Sequence, residues 1–355
     1  MSSTIGDLVA SITPVDEDAR AAAEARQLTL TKPPGSLGEL EILGNQLAAI
    51  AGTCPPPVPE PALVCVFAAD HGVQAQKVSP WPQEVTVQMA ANISRGGAGV
   101  SVIARAAGAG LKVFDLGMLS PAEGTVDALI ARGTADFTAA PAMTPEQCEQ
   151  GIRVGLEAAR QAVAEGFRAL VPGEVGIGNT TPSSALTSLF TGASVAEVTG
   201  RGSGADDAML ARKCEVVEQG YAVHGLSPET AAADPLRALT CVGGFEHAAM
   251  VGLMLGAAEQ RVPLVLDGAI ACSAALVAVA LCPAVRGYLI AGHAGVEPGI
   301  QAALGSLGLR PVIALDLRLG EGSGGALALP VVTTAAKVLR EMATFDSAGV
   351  TGEYE

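Results

Sequence analysis

A chain of 355 residues is long enough to bury the core of one large α/β domain, or of a main domain with a smaller partner. Its formal net charge of -15 argues against binding to nucleic acid or to anionic membranes, because both need clustered Lys and Arg. The seven cysteines are scattered and never form CxxC, which argues against a disulfide framework or a zinc ribbon and favours the reducing cytoplasm.

The N-terminal region predicts helices. Residues 1–10 have no basic stretch before their apolar residues, so no signal peptide is expected. Acidic residues begin the segment 14–27, and residues 37–52 have helical spacing that ends at a glycine, which is typical of two helices. The proline-rich segment 53–61 cannot continue a helix, and we place a domain boundary there.

Beyond this connector, short apolar or β-branched runs alternate with helical patterns, as after Thr144, which is a good N-cap followed by proline. Strands this apolar indicate a parallel sheet covered by helices on both faces. The predicted strands are ALVCVFAA, LKVFDLG, RALVPG, PLVLDG, GYLIAG and PVIALDL. The uncharged segment 268–285 is rich in small residues and lies between two of them, so we interpret it as a buried crossover helix rather than a membrane span.

Five of the predicted strands are followed by glycine together with a polar or acidic residue. These segments are residues 70–72, 173–181, 267–268, 292–295 and 320–325. In an open parallel sheet the carboxyl ends of the strands share one edge, where ligands bind in a crevice. We therefore expect Glu321, which lies between glycines, to belong to one site with these other segments.

The segment GEVGIGNTTPSS resembles a nucleotide-binding loop, since Gly173, Gly178 and Thr180 have the right spacing. Asn179 stands where the lysine should be, which argues against triphosphate hydrolysis. A loop of free N–H groups running into a helix still suits a single phosphate. The alternative is a glycine-rich turn followed by an N-cap.

A second glycine-rich loop, residues 199–207, precedes a helix that carries Lys213. Arg201 or Lys213 could supply the positive charge for a phosphate in so acidic a protein. A solvated lysine on a helix surface is the alternative.

The segment 320–325 also matches the dinucleotide fingerprint GxGxxG. A carboxylate inside that fingerprint would repel a pyrophosphate, so Glu321 is better suited to accept a proton. Glu174, in the other glycine-rich loop, is a second candidate carboxylate. The four histidines are too dispersed to predict a metal site, and aromatic residues are so few that Val175 and Leu319 are expected to form aliphatic walls around a flat substrate.

Several longer motifs together are similar to those of the nicotinate-nucleotide:dimethylbenzimidazole phosphoribosyltransferase family. They run in order from about residue 30 to residue 351: KPPGSLGELE, FAADHGV, VSPWPQEVT, GEVGIGNTT, TGRGSG, GGFEH, EPG, LGEGSG and FDSAGVT. The resemblance implies transfer of phosphoribose from nicotinate mononucleotide to a benzimidazole nitrogen, without a metal or other cofactor. It also implies a homodimer and a parallel Rossmann-like α/β sheet flanked by helices. A small helical domain (residues 1–60 and 331–355) would accompany the large substrate-binding domain (61–330).

Carried over by position, the resemblance makes Glu321 the general base, with Glu174 as a second catalytic carboxylate. Ser79, Pro80 and Gln88 match the base pocket. The mononucleotide loops are matched by Gly176, Gly178, Asn179, Thr180, Gly202, Ser203, Gly204 and Lys213, with Asp267 as a supporting carboxylate and Gly292 in the phosphate-side loop.

Three positions depart from the family pattern, which has a basic residue at Glu39, an aliphatic residue at His247 and a serine at Gly292. The missing hydroxyl at 292 is expected to weaken the phosphate contact. Two other kinds of function stay open on the residues: an oxidoreductase that uses GxGxxG, and a mononucleotide-binding scaffold without activity.

Overall fold

The computed structural model describes residues 5–351, whose core is a six-stranded parallel sheet. Its strands are β1 (Ala62–Ala69), β2 (Gly110–Gly117), β3 (Val126–Asp127), β4 (Ala169–Val175), β5 (Leu264–Leu266) and β6 (Leu289–Ala291). They lie in the order β3-β2-β1-β4-β5-β6, so the order reverses between β1 and β4. The predicted parallel α/β sheet is confirmed, and this reversal is where a doubly wound sheet opens its ligand crevice.

Helices cover both faces of the sheet and form the N- and C-terminal regions. They are α1 (Ile5–Ser11), α2 (Glu17–Gln27), α3 (Glu39–Ala51), α4 (Glu84–Ser94), α5 (Gly99–Ala106), α6 (Pro145–Ala164), α7 (Thr180–Thr191), α8 (Val195–Val198), α9 (Asp207–His224), α10 (Pro228–Ala233), α11 (Pro235–Val242), α12 (Phe245–Glu259), α13 (Ala269–Leu281), α14 (Pro298–Leu307), α15 (Ser323–Glu341) and α16 (Phe345–Ala348). Two 3-10 helices are Gly72–Gln76 and Pro283–Tyr288. As predicted, Thr144 caps α6, and it does so through a capping box with Gln147.

Small residues bring α6 and α12 into close contact beneath the sheet. A Cβ atom on Gly155 would lie 1.8 Å from the carbonyl oxygen of Ala249, and one on Gly252 would lie 1.9 Å from that of Ile152. No side chain fits at either contact, so the two backbones approach more closely than larger residues would allow. The abundance of small residues in the sequence therefore has a direct packing consequence.

The apolar segment between β5 and β6 forms α13, whose residues 271–278 are buried. It is the predicted crossover helix. Among residues 5–351 no helix combines the length and the apolar character needed to span a bilayer.

The prediction for PVIALDL was wrong in part. Only Ile313–Ala314 form a strand, β8, which pairs with β7 (His293–Ala294) outside the six-stranded sheet. Residues 314–316 are exposed, which explains why an apolar pattern alone placed them incorrectly. The Val312 N–H nevertheless donates to the carbonyl of Ala291, so the segment reaches the carboxyl end of β6 and delivers residues 317–321 to the crevice.

The two ends of the chain meet at α3 and α15. Leu30 pairs with Thr344 in an isolated bridge, and Ala23, Leu30, Ala48 and Leu339 form a small core of their own. The helix α15 runs without a break across residue 331, where the sequence placed a domain boundary. The division into two domains stays a prediction.

Candidate active site

A cavity of about 490 Å³ opens at the carboxyl ends of the central strands. It is formed by the chain after β1, the loop from β4 to α7, the loop before α9, the start of α13, the segment from β7 to α14 and the chain before α15. Four of the five strand-end segments that the sequence placed at one edge contribute to this lining, whereas residues 70–72 do not. The site therefore lies at the reversal in strand order.

The loop after β4 is held tightly against its neighbours. A Cβ atom on Gly176 would lie 2.3 Å from the carbonyl oxygen of Ala69, so the loop crosses directly over the end of β1. Gly178 adopts φ +94°, which favours glycine, and α7 begins two residues later at Thr180. The predicted loop leading into a helix start is confirmed.

Glu174 lies at the floor of the cavity, where both of its carboxylate oxygens are engaged. Asn179 Nδ2 donates to Oε2, and the backbone N–H of Glu321 donates to Oε1 at 3.2 Å. Burial raises the pKa of Glu174 to about 8, and the charge of Asp267 adds to that rise against the two donated hydrogen bonds. At neutral pH this carboxyl is therefore mostly protonated.

The chain before α15 wraps around a second carboxylate. Gly320, Glu321 and Gly322 have φ values of +81°, +65° and +91°, three consecutive residues in the left-handed region. This conformation directs the N–H groups of Gly322, Gly324 and Gly325 at the Asp267 carboxylate, at 3.0, 2.7 and 3.1 Å. Asp267, which follows β5, thus caps the start of α15. Glu321 is the one residue of this left-handed run that is not glycine, and it is the residue expected to act as the base.

Glu321 lines the cavity although only 6% of the residue is exposed. Burial raises the pKa of Glu321; a hydrogen bond from the Val100 backbone opposes the rise, and the charge of Asp267 adds to it. Its Oε2 atom is buried and has no hydrogen-bond partner within residues 5–351. One carboxylate oxygen at the cavity lining is therefore not engaged by the described part of the chain.

The other end of the cavity is suited to an anion. Residues 200–203 and Thr180 line it, and the buried Lys213 Nζ donates to Gly200 O at 2.8 Å and to Thr180 Oγ1 at 2.9 Å. Burial lowers the pKa of Lys213 to about 8, an effect that the charge of Glu297 opposes. An ammonium group directly behind a glycine-rich loop is a suitable environment for one phosphate.

A buried charged cluster supports the loop from below. His71 Nε2 and His247 Nδ1 lie 2.9 and 2.7 Å from Glu246 Oε1, and Ser183 Oγ lies 2.9 Å from His247 Nε2. Burial raises the pKa of Glu246, but the charges of His71 and His247 outweigh it and hold that pKa well below its usual range. His247 is one of the three positions that depart from the family pattern. It connects the buried Glu246 to Ser183, which lines the cavity.

Most of the predicted site residues meet at this cavity. Its lining includes Ser79, Pro80, Glu174, Val175, Gly176, Gly178, Asn179, Thr180, Gly202, Ser203, Leu319 and Glu321. Lys213 and Asp267 lie directly behind it through the hydrogen bonds described above. Gln88 is exposed on α4 and Gly204 is exposed beyond Ser203, and neither lines the cavity of the single chain.

Gly292 has a structural role in place of the phosphate contact expected from its position. A Cβ atom there would lie 2.4 Å from the carbonyl oxygen of Leu266 and 2.8 Å from Gly325 Cα. The serine of the family pattern would not fit in this backbone arrangement. Glu39, another departure, forms an ion pair with Arg310.

The sequence did not single out Trp81, which lines the cavity and donates from Nε1 to Ser203 O at 3.0 Å. Val175 and Leu319 line the cavity as expected of the aliphatic walls, but an aromatic ring lies beside them. The sequence signal was present, since this single tryptophan lies between two prolines in a segment already assigned to the base pocket. Glu297 was also missed as a lining residue.

Within residues 5–351 no group of three or more His, Cys, Asp or Glu side chains is arranged to hold a metal ion.

Comparison with known proteins defines the class. The sequence profile of a family described as phosphoribosyltransferase matches residues 12–350, and the chain belongs to this family. A nicotinate-nucleotide–dimethylbenzimidazole phosphoribosyltransferase of Salinispora tropica is 51% identical over 96% of this chain and 97% of its own. One of Roseiflexus sp. RS-1 is 47% identical over 99% of both chains.

A solved structure agrees with the sequence comparison. The crystal structure of the enzyme of the same name from Thermus thermophilus superposes with a TM-score of 0.88 at 42% identity, covering 95% of this chain and 100% of that one. The resemblance found in the sequence motifs is therefore confirmed over nearly the whole chain.

Proposed function

We propose that this protein transfers phosphoribose from nicotinate mononucleotide to 5,6-dimethylbenzimidazole or a related base, releasing nicotinate and forming α-ribazole 5'-phosphate. This step makes the nucleotide of the cobalamin lower ligand. The full-length similarity to enzymes with this printed name supports the assignment. The substrates are small molecules, and the cavity has the size class of a small-molecule site.

The chemistry is a displacement at the anomeric carbon of the ribose. One benzimidazole nitrogen forms the new C–N bond as the bond to nicotinate breaks. The electron pair of the broken bond returns to the pyridinium ring, which is thereby neutralised. The other nitrogen loses its proton to Glu321. Because the leaving group is already cationic, the reaction needs orientation and a base more than it needs an acid.

The observation that carries the proposal is that Glu321, whose Oε2 atom is buried without a hydrogen-bond partner among the described residues, lines the same cavity as the loops at 173–181 and 200–203. A base and an anion site at two ends of one cavity match a substrate pair of heterocycle and mononucleotide. A carboxylate taken out of water is also a stronger base than an exposed one.

The remaining carboxylates have supporting roles in this proposal. Asp267 holds the chain before α15, and Glu174 holds the backbone N–H of Glu321. A negatively charged environment stabilises the oxocarbenium character that the ribose develops in the transition state. Asp267 and Glu321 supply such an environment next to the cavity, whereas Glu174 is mostly protonated at neutral pH.

We assign the mononucleotide to the phosphate end, with Asn179, Thr180, Gly202, Ser203 and Lys213 around its phosphate and ribose. The base would lie between the segment 79–81 and the walls formed by Val175 and Leu319. The indole of Trp81 offers one flat surface for stacking.

We also propose a cytoplasmic homodimer. All seven cysteines are free, as expected in a reducing compartment. Four large apolar side chains, Trp81, Val102, Leu315 and Leu319, are 49–57% exposed, and Trp81 and Leu319 lie at the cavity. We propose that a second copy covers the exposed Trp81 and Leu319 at the cavity, and that the exposed Gln88 and Gly204 belong to the same contact. Sedimentation equilibrium would test the dimer, and a monomer at micromolar concentration would contradict it.

A direct assay tests the reaction. The protein is incubated with nicotinate mononucleotide and, separately, with benzimidazoles, purines and phenols, and ribotides are detected by mass spectrometry. We expect a phosphoribosylated benzimidazole and stoichiometric nicotinate. Binding of the mononucleotide without any ribotide would instead support the scaffold, and tight NADH binding without ribotide would support the oxidoreductase.

A further inference from the structure

The anion end of the cavity already contains a carboxylate. Glu297 Oε1 accepts the backbone N–H of Gly202 at 3.1 Å. Its Oε2 lies 1.6 Å from the position that a Cβ atom on Gly200 would take, so this oxygen is packed directly against the Gly200 backbone. Glu297 therefore packs against the 200–203 loop and lies within the lining of the cavity.

The same loop is bound from the other side by a cation. Lys213 Nζ donates to Gly200 O, and Glu297 is the nearby charge that raises the pKa of Lys213 against its burial. A loop N–H and a lysine ammonium are the two kinds of group that a phosphate requires. Both of them are adjacent to the Glu297 carboxylate.

We propose that Glu297 occupies the phosphate subsite of the empty enzyme and that the substrate's phosphate displaces it on binding. The identity of the ligand as a phosphate rests on the proposed function. The arrangement itself rests on the contacts of Glu297 with Gly200 and Gly202.

A displaceable carboxylate has two physical consequences. First, it satisfies the Gly202 N–H and balances Lys213 when no substrate is present, so a loop that carries three glycines in residues 200–204 keeps its shape. Second, the apparent affinity for phosphate is lowered, because only the fraction of molecules with an open subsite binds. A ligand without a phosphate does not compete with the carboxylate, so its affinity is unaffected and Glu297 narrows the difference in affinity between phosphorylated and unphosphorylated ribosides.

The position of Glu297 permits such a movement. It is the residue before the first turn of α14, only half-buried, and its neighbours Val296 and Pro298 are exposed. The side chain makes no capping hydrogen bond to its own helix. If the Glu297 side chain rotates toward solvent, it therefore loses its contacts with residues 200–202 but no hydrogen bond to α14.

The test compares Glu297→Gln with Glu24→Gln, which removes the same charge from an exposed position on α2. Dissociation constants for inorganic phosphate, nicotinate mononucleotide and nicotinate riboside are measured by calorimetry or competition at pH 6.5. For Glu297→Gln we expect phosphate and mononucleotide to bind about five- to tenfold more tightly, since the competing anion is gone. The riboside and the Glu24→Gln control are expected to be unchanged.

Two outcomes would overturn the proposal. Weaker or unchanged binding of phosphate in Glu297→Gln would mean that the carboxylate only positions the loop. An equal gain for the riboside would mean that the effect is not displacement by phosphate. If Glu297→Gln does not fold, Glu297→Asp keeps the charge but is too short to hold Gly202, and a gain in phosphate affinity is again expected. Phosphate binding can be measured without turnover. The proposal for Glu297 can therefore be tested even if the transferase assay shows no activity.

Discussion

The backbone N–H of Glu321 donates a hydrogen bond to Oε1 of Glu174 at 3.2 Å, joining the chain before α15 to the end of β4. The two carboxyl groups differ in their surroundings. Both oxygens of Glu174 accept hydrogen bonds from the protein, whereas Oε2 of Glu321 is buried without a partner. Glu174 is therefore suited to hold the loop and Glu321 to receive a proton, since two carboxyls in distinct environments take distinct roles.

Glu321→Gln is expected to keep the fold and the binding of nicotinate mononucleotide but to lower kcat by about 10²- to 10⁴-fold, the usual contribution of a positioned base. Steady-state kinetics with benzimidazole as acceptor measure this loss. The matched control is Glu341→Gln at the exposed end of α15, where activity is expected to be unchanged. A Glu321→Gln enzyme with full activity and an unaltered pH–rate profile would remove Glu321 from the role of base.

Glu174→Gln is expected to flatten the pH dependence of stability. The folded-state pKa of Glu174 is raised to about 8 from an ordinary 4.5, so between these values the folded protein retains a proton that the unfolded chain releases. Stability from this group is full below pH 4.5 and is lost as pH rises toward 8, with a slope approaching about 1.4 kcal/mol per pH unit. The amide of Asn179 can turn to present its oxygen to the new glutamine, so the fold should tolerate the change.

Urea denaturation at pH 5, 6, 7 and 8 checks this expectation, because the difference in unfolding free energy between wild type and Glu174→Gln should shift by several kcal/mol across the series. Glu24→Gln, at an exposed position on α2, is the control and should follow the wild-type curve. Parallel curves for wild type and Glu174→Gln would show that the Glu174 carboxyl is already ionised in the folded protein.

Local patterns in the sequence predicted the parts of the site that depend on local geometry. Glycine-rich turns after apolar strands placed residues 173–181 at the sheet edge, since strand ends in a parallel sheet share that edge. Contacts between distant segments could not be predicted in this way. The three N–H groups that Asp267 accepts come from residues 55 or more positions later, and no spacing indicates them. The apolar pattern of PVIALDL likewise did not indicate its environment, because the side chains of residues 314–315 are exposed.

Gly292→Ser restores the serine of the family pattern and is expected to destabilise this protein. Its Cβ would be 2.4 Å from the carbonyl oxygen of Leu266 and 2.8 Å from Gly325 Cα, and both are backbone atoms, which cannot turn aside as the end of a flexible side chain can. Overpacking of this kind costs about 1–3 kcal/mol, which chemical denaturation would resolve. Gly305→Ser on α14 is the control, because a Cβ there meets nothing within 4 Å and serine is the better helix residue. Equal stability of the two variants would show that the backbone at residue 292 can relax.

Lys213→Met is expected to weaken binding of nicotinate mononucleotide about tenfold or more, because a buried ammonium contributes about 1.5–3 kcal/mol to a charged partner. The Lys213 pKa is lowered to about 8 by burial, so the cation is present at pH 7 and is lost as pH rises through about 8. The wild-type Michaelis constant for the mononucleotide should therefore rise between pH 7 and pH 9, whereas that of Lys213→Met should be high and flat. Lys337→Met, which removes an exposed cation paired with Glu60, is the control. An unchanged Michaelis constant in Lys213→Met, together with lower stability, would make Lys213 a support for the 200–203 loop that takes no part in binding the phosphate.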